Sequence, residues 1–243
     1  MTLSYPVAQR TLGNGLRVVV SEDRACPSAT VYVAYDVGSR DEVPGRTGLA
    51  HLFEHLMFSG SGNVGPGEHA ALMNSCGALF NAGTSADLTV YFQHLPAGAV
   101  DLALWLEADR MAGLCDGLTQ ERLDNERGVI TQEYHQRYDV PFGSIGLRLP
   151  ALVYPSAHPY HHPVIGSLED LHAAALGGVT GFFRDFYVPR NAVLAVTGDV
   201  TAEQVFAAAD RYFGAIPGGP QPPHVPVPVL KAAAGQARDD SFE

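Results

Sequence analysis

Apolar and polar residues alternate along much of the chain in patterns that predict both strands and helices. Five segments carry the period-two alternation or the turn signals typical of strands: residues 9–20 as a hairpin, 29–37, 78–84, 88–95 and 191–197. The first is predicted as a hairpin because Asn14-Gly15 is a strong turn signal between two apolar runs. Residues 85–87 form the predicted turn of a second antiparallel pair.

Other segments have the periodicity, caps or breakers of helices. They are residues 68–74, 99–113, 119–138, 143–154, a short helix opening at 167, 180–187 and 201–213. Thr119 is the expected cap of the longest helix, and Pro141 is expected to stop it. In the helix at 99–113, the charged residues Glu107, Asp109 and Arg110 are expected at the end.

The proline-rich run that ends at residue 228 is typical of a linker. Residues 231–243 show no periodicity and are expected to be loose. We therefore predict one domain over residues 1–216, followed by a linker and tail over 217–243.

The segment over residues 47–60, T-G-L-A-H-L-F-E-H-L-M-F-S-G, is the centre of the predicted organisation. Thr47 is placed to cap a helix and Gly60 to end it. The residues between them are apolar on every side, which predicts a buried helix.

Three polar residues of this helix, His51, Glu54 and His55, fall within one arc of about 100°. Because residues i and i+4 share a face, both imidazoles can reach one divalent cation, the geometry of the inverted His-x-x-Glu-His motif. The offset glutamate can then take a proton from water without being a ligand. The alternative is that the histidines bond to backbone carbonyls in the core and that the glutamate is partly exposed.

Two carboxylates on the longest predicted helix, Glu126 and Glu133, lie seven residues apart and share nearly one face. One interpretation is a solvated edge paired with Arg122, Arg127 or Arg137. The other is that Glu133 is a metal ligand with Glu126 beside it, because catalytic zinc takes three protein ligands and two histidines leave it one short.

Small residues interrupt the strand at 78–84, where Asn81-Ala82-Gly83 would let another backbone approach closely. One interpretation is a peptide that adds to the strand edge. The others are a β-bulge or tight packing against a helix.

A second group of histidines, His158, His161 and His162, lies in a loop over residues 156–166. Histidine-rich tracts bind metal in some proteins. Here Pro159 and Pro163 break the segment, so no helix holds the rings together, and we do not expect these residues to be ligands.

Composition narrows the class of protein. The 243 residues are 46% hydrophobic, which is enough for a sizeable core in one or two domains. A net charge of −11 argues against nucleic acid or an anionic membrane as partner. Cys26, Cys76 and Cys115 are widely spaced and favour reduced thiols. With no apparent signal segment and no apolar run of membrane-spanning length, a soluble, cytoplasmic protein is expected.

Taken together, these motifs resemble the pitrilysin/insulinase family of inverted-motif zinc peptidases, in particular its bacterial and mitochondrial-processing-peptidase branch. The resemblance covers roughly residues 8–220. It is carried by five stretches in the family's order: G-L-A-H-L-F-E-H-L-M-F-S-G at 48–60, F-N-A-G-T at 80–84 with D-L-T-V-Y at 87–91, N-E-R-G-V-I-T-Q-E at 125–133, H-P-Y-H-H-P-V-I-G at 158–166 and F-Y-V-P-R-N-A-V-L-A-V-T-G-D at 186–199.

The resemblance implies an α+β fold in which an antiparallel sheet of about six strands is packed with helices. It also implies roles for seven residues: His51, His55 and Glu133 as Zn²⁺ ligands, Glu54 as catalytic base, Glu126 as an orienting carboxylate, and Asn81 and Ala82 as the edge that holds the substrate backbone.

Family members usually have two homologous halves, and this sequence shows one set of motifs and no internal repeat. A zinc endopeptidase acting on a peptide or small protein is therefore expected to need a second half. That half would be a separate subunit, a C-terminal part of a longer chain, or a second copy. The alternative is a non-catalytic structural or partner-stabilising subunit. The intact motif set favours the peptidase.

Overall fold

Six strands form one sheet in the computed structural model, which describes residues 6–229. The strands are β1 (Ala8–Thr11), β2 (Arg17–Glu22), β3 (Ser28–Tyr35), β4 (Leu79–Thr84), β5 (Thr89–Pro96) and β6 (Ala192–Gly198). Their order across the sheet is β1-β2-β6-β3-β5-β4. Every pair is antiparallel except β2 with β6, which is parallel. The predicted α+β class, with an antiparallel sheet of about six strands, is confirmed.

Eight α-helices accompany the sheet within the described residues. They are α1 (Leu49–Leu56), α2 (Glu68–Ser75), α3 (Val100–Gly117), α4 (Gln120–Tyr138), α5 (Ile145–Val153), α6 (Leu168–Ala173), α7 (Leu176–Phe186) and α8 (Ala202–Phe213). Thr119 caps α4 as predicted, because its side chain accepts from the N–H of Arg122. Helix α7 begins at Leu176, four residues before the predicted start at 180. None of these helices combines the length and apolarity needed to cross a bilayer.

Helix α1 is buried, as its apolar pattern predicts. It lies against β4, β5 and α4. Phe53, at its centre, is fully buried and packs on the rings of Phe182 and Tyr187, with centroids 6.0 and 4.9 Å away. From the sheet, the hydroxyl of Tyr91 donates to the carbonyl of Phe53 at 2.9 Å. These contacts fix the helix against the face of the sheet.

The predicted ends of this helix are wrong. Its N-cap is Gly48, which has a left-handed φ of +87° and no side chain to cap with. Thr47 is turned away, because its hydroxyl donates to Asp170 at 2.6 Å. The first N–H groups of the helix instead reach the carboxylate of Glu42. At the other end, α1 stops at Leu56, before Gly60 is reached.

Residues 217–229 have no regular secondary structure but follow the surface of the domain. His224 contacts Asp41 through Nδ1 at 3.0 Å, and Pro222 is buried. The backbone N–H of Arg190 donates to the carbonyl of Gly218 at 3.4 Å. The domain boundary at 216 stays a prediction. The loose tail predicted over 231–243 lies outside the described residues.

Glu107 and Arg110 were expected at the end of a helix. They lie inside α3 instead, because this helix continues to Gly117. Both are fully buried. Glu107 accepts from Nε of Arg110 at 2.9 Å and from the amide of Gln93 on β5. The guanidinium of Arg110 also lies 4.2 Å from the ring centroid of Tyr91. The helix is longer than predicted, and it carries a charged pair that is buried in the core.

We predict that Glu107→Ala lowers the free energy of unfolding by about 3–5 kcal/mol, because it leaves the Arg110 guanidinium buried without its carboxylate. Urea denaturation measures the change. The double variant Glu107→Met with Arg110→Leu should recover most of the loss, since apolar residues replace the whole pair.

The matched control is Asp101→Ala, which breaks the exposed pair between Asp101 and Arg211. That variant should cost less than about 1 kcal/mol. Equal losses in Glu107→Ala and Asp101→Ala would contradict the prediction.

Candidate metal centre

Helices α1 and α4 bring together the three predicted ligands. Nε2 of His51 lies 3.5 Å and Nε2 of His55 lies 3.4 Å from Oε2 of Glu133. The two imidazoles are one helical turn apart, with ring centroids separated by 4.9 Å. Within residues 6–229, these three residues are the group of His, Cys, Asp and Glu side chains close enough to share one metal ion.

The pKa values of the two histidines are shifted in opposite directions. His51 is only 6% exposed, and burial lowers its pKa, which favours the neutral imidazole that binds metals. Burial also acts to lower the pKa of His55, but the carboxylates of Glu126, Glu133 and Glu54 together outweigh it, and the pKa is raised. Oε2 of Glu126 lies 3.7 Å from Nδ1 of His55. Glu126 therefore stands beside one ring nitrogen while the other faces Glu133.

Arginine pairing, the first of the two interpretations of the α4 carboxylates, applies in part. Arg137 places Nη1 3.5 Å from Oε1 of Glu133, the oxygen that does not face the histidines. Arg127 pairs with Asp124 instead. The carboxylate of Glu133 therefore has one oxygen toward an arginine and one toward the imidazoles.

The donor set fits zinc. Two imidazole nitrogens and one carboxylate oxygen are ligands that catalytic zinc uses. The separations of 3.4 and 3.5 Å match the roughly 3.4 Å between neighbouring ligands of a tetrahedral ion bound at about 2.1 Å. Three protein ligands leave the fourth position open, as a catalytic site requires.

The centre opens into a cleft of about 720 Å³. Its floor includes His51, Glu133 and the half-buried Glu54, so the predicted base faces the same space as two of the predicted ligands. One wall is formed by β4. The other wall is formed by residues that the sequence did not identify as part of the site. They are Tyr138, Pro150, Tyr154, Tyr160 and residues 162–165.

Strand β4 is an edge strand of the sheet. One of its sides pairs with β5, and the other side is unpaired within the described residues. The N–H of Ser85 donates to the carbonyl of Leu88, which marks a hydrogen-bonded pair at the turn. Because such pairs alternate in antiparallel strands, the backbone groups of Phe80, Ala82 and Thr84 point to the free edge.

The pairing of β4 with β5 is continuous from Leu79↔His94 to Thr84↔Thr89, so there is no β-bulge. Nor does Gly83 mark tight packing, because an added Cβ would meet only a methyl of Val90 at 3.9 Å.

The structure separates the two residues predicted to hold substrate. Ala82 lines the cleft. Asn81 is exposed, and its Oδ1 accepts from the N–H of Ala82 at 2.9 Å. Their roles toward a substrate stay predictions.

The loop histidines lie outside the metal group. His158 is buried and contacts the carbonyl of Pro228 through Nε2, and His161 contacts the carbonyl of Tyr154. His162 is different, because it lines the cleft. The sequence pattern does not identify this position as part of the site.

Comparisons with known proteins identify the family of this chain. A family model described as Insulinase (Peptidase family M16) matches residues 17–141, and one described as Peptidase M16 inactive domain matches residues 178–239. Zinc protease PqqE of Helicobacter pylori is 36% identical over 84% of this chain and 46% of its own length. The probable mitochondrial-processing peptidase subunit beta of Schizosaccharomyces pombe is 29% identical over 84% of this chain and 44% of its own.

Among solved structures, a protease from Helicobacter pylori is similar with a TM-score of 0.84 and 32% identity. The similarity covers 93% of this chain and 53% of that one. The chain thus spans about half the length of the curated relatives it matches. The family match includes every predicted ligand, and the same fold is found in a related protease; the chain belongs to the insulinase family, peptidase family M16.

Proposed function

We propose that this chain is the catalytic half of a zinc-dependent endopeptidase. The observation that carries the proposal is the convergence of His51, His55 and Glu133 on one point at the floor of a cleft. The same cleft holds Glu54 and is bordered by a free strand edge. Family membership supports the peptidase role, and the similarity to a zinc protease of Helicobacter pylori supports zinc.

His51, His55 and Glu133 would hold the metal. Zinc, when bound, supplies Lewis acidity that makes water more acidic and polarises a carbonyl group. Glu54 takes the proton of water as the water oxygen attacks the carbonyl carbon of the peptide bond. It then delivers that proton to the amine nitrogen as the C–N bond breaks. Glu126 keeps the His55 ring oriented through Nδ1.

The substrate backbone would add to β4 as an extended strand. The carbonyl group of Ala82 and the N–H and carbonyl groups of Phe80 and Thr84 at the free edge supply hydrogen bonds that do not depend on the substrate's side chains. A peptide held in this way passes through the cleft along its length, which suits cleavage within a chain rather than at its end.

We further propose that a homologous second half closes the site. The chain spans about half the length of the relatives. Helix α5, which borders the cleft, has no buried residue, and Ile145, Leu149 and Val153 along it are 43, 52 and 55% exposed. Phe142, just before the helix, is 84% exposed. An apolar rim of this kind is typical of a surface that another body covers.

The first prediction of this proposal is one zinc ion per chain, lost in His55→Ala. A three-ligand site has no spare donor, so removing one ligand should abolish most of the affinity. Elemental analysis of the purified chain measures the metal. His135→Ala, which removes an exposed histidine of α4, is the matched control and should keep the zinc.

Zinc retained in full by His55→Ala would contradict the ligand assignment. A wild-type chain that binds no zinc would favour the non-catalytic, partner-stabilising subunit.

The second prediction is that Glu54→Gln lowers kcat by at least about 10²–10⁴-fold while zinc and fold remain. Glutamine has the same shape but cannot take the proton. Glu126→Gln should cost less, about 10–100-fold, because it acts only through His55. Cleavage of an unstructured fluorogenic peptide measures the rates, with Glu121→Gln on the exposed face of α4 as control. Unchanged turnover by zinc-loaded Glu54→Gln would remove Glu54 as the base.

The third prediction is that the chain alone binds zinc but cleaves peptides slowly, and that a homologous second half raises the rate. Closing the cleft should exclude water and hold the peptide in register. The decisive measurement is kcat/KM at equal zinc loading, with and without the C-terminal half of a relative or at chain concentrations that favour self-association. Full activity from a demonstrated monomer would refute the requirement.

A further inference from the structure

The carboxylate of Glu42 caps the helix that carries the proposed ligands His51 and His55. Its side chain is completely buried. Oε2 accepts from the N–H of Gly48 and Oε1 from the N–H of Ala50, each at 2.8 Å. One side chain therefore satisfies two of the N–H groups that the start of a helix leaves unpaired. Ala50 directly precedes His51 in the sequence.

The usual cap is sterically excluded at this helix. A Cβ on Gly48 would lie 2.6 Å from the carbonyl oxygen of Ile165, so no serine or asparagine fits at the N-cap. The φ of +87° at this position also disfavours a side chain. Thr47, the nearest hydroxyl, is committed to Asp170. The N-terminus of α1 thus depends on a carboxylate from the preceding loop.

Glu42 also contacts the histidine-rich loop that forms one wall of the cleft. Nδ1 of His162 lies 3.7 Å from Oε2 of Glu42, and His162 lines the cleft. The loop that follows it lies directly on the helix start, because a Cβ on Gly166 would come within 2.3 Å of the nitrogen of Gly48. The carboxylate is thus enclosed between the first turn of α1 and the histidine-rich loop.

The environment is demanding for a carboxylate. Burial raises the pKa of Glu42 to about 8, and the N–H groups of Ala50 and Gly48 oppose the rise. Burying an acid without such donors would cost free energy. The hydrogen bonds to the start of α1 therefore explain why Glu42 lies inside the fold.

We propose that Glu42 is a positioning residue for the metal centre. By holding the N–H groups of Gly48 and Ala50 against the loop of His162, it fixes the first turn of α1. It thereby fixes the imidazole of His51 opposite Glu133. The part that concerns zinc rests on the function proposed above, whereas the capping of the helix does not.

The test compares Glu42→Gln and Glu42→Ala in the full chain. Glutamine keeps one acceptor oxygen but turns an amide toward the other N–H, so one of two bonds is lost. The matched control is Glu68→Gln, at the start of α2, where the carboxylate accepts from the N–H of Gly65 at 2.8 Å but is exposed.

Two readouts are needed. Hydrogen exchange should show about a tenfold loss of protection at the amides of Gly48 and Ala50 in Glu42→Gln, and more in Glu42→Ala. Titration with Zn²⁺ against a chromophoric chelator should show about 10–100-fold weaker binding. Both quantities should be unchanged in Glu68→Gln.

The outcomes separate the two proposals. A wild-type chain without zinc affinity refutes the proposed function, while hydrogen exchange still tests the cap. Unchanged protection in Glu42→Ala overturns the inference. So does a loss spread evenly over the whole chain, or zinc affinity that stays at the wild-type value although the first turn has lost protection.

Discussion

A buried helix with two imidazoles on one face is stabilised when a neighbouring element supplies groups for their polar atoms. In this chain that element is α4, whose Glu126 and Glu133 stand 3.4 to 3.7 Å from the rings of His51 and His55. Polar atoms cost free energy in apolar surroundings unless they are paired. The packing of α1 on α4 is therefore fixed by chemistry as well as by shape. The sheet also holds α1 in place, because β4 and β5 pack against this helix.

The same constraint explains how the walls of the cleft are placed. Helix α1 is short, and its start is bonded to other parts of the chain rather than to a side chain at its own N-cap. Its start meets Glu42, Asp170 and the loop at residues 162–166, and that loop lines the cleft. Displacement of any of these segments moves the helix, so the cleft and the metal centre are parts of one packing arrangement.

Sequence alone predicted what depends on near neighbours. Thr119 caps its helix as expected, because it bonds an N–H only three residues ahead. The burial of α1 also follows from its own residues. Thr47 was misassigned because its partner, Asp170, is 123 residues away and competes with the local N–H groups.

The other missed features are also long-range. Glu107 and Arg110 look like surface charges in any local pattern, and only the packing of α3 on the sheet shows that they are a buried pair. Likewise, no periodicity identifies Tyr160 or His162 as cleft residues, since their loop has no repeat and is placed by contacts with distant segments.

The unpaired edge of β4 has a consequence for the behaviour of the chain in solution. An exposed row of backbone donors and acceptors pairs with any extended strand, including the same edge of another copy, and so invites aggregation. The exposed Leu79 at one end of this strand adds an apolar surface to that hazard. Asn81 reduces it, because its own amide oxygen occupies the outward N–H of Ala82. Removal of that oxygen would leave a stickier edge and a less soluble protein.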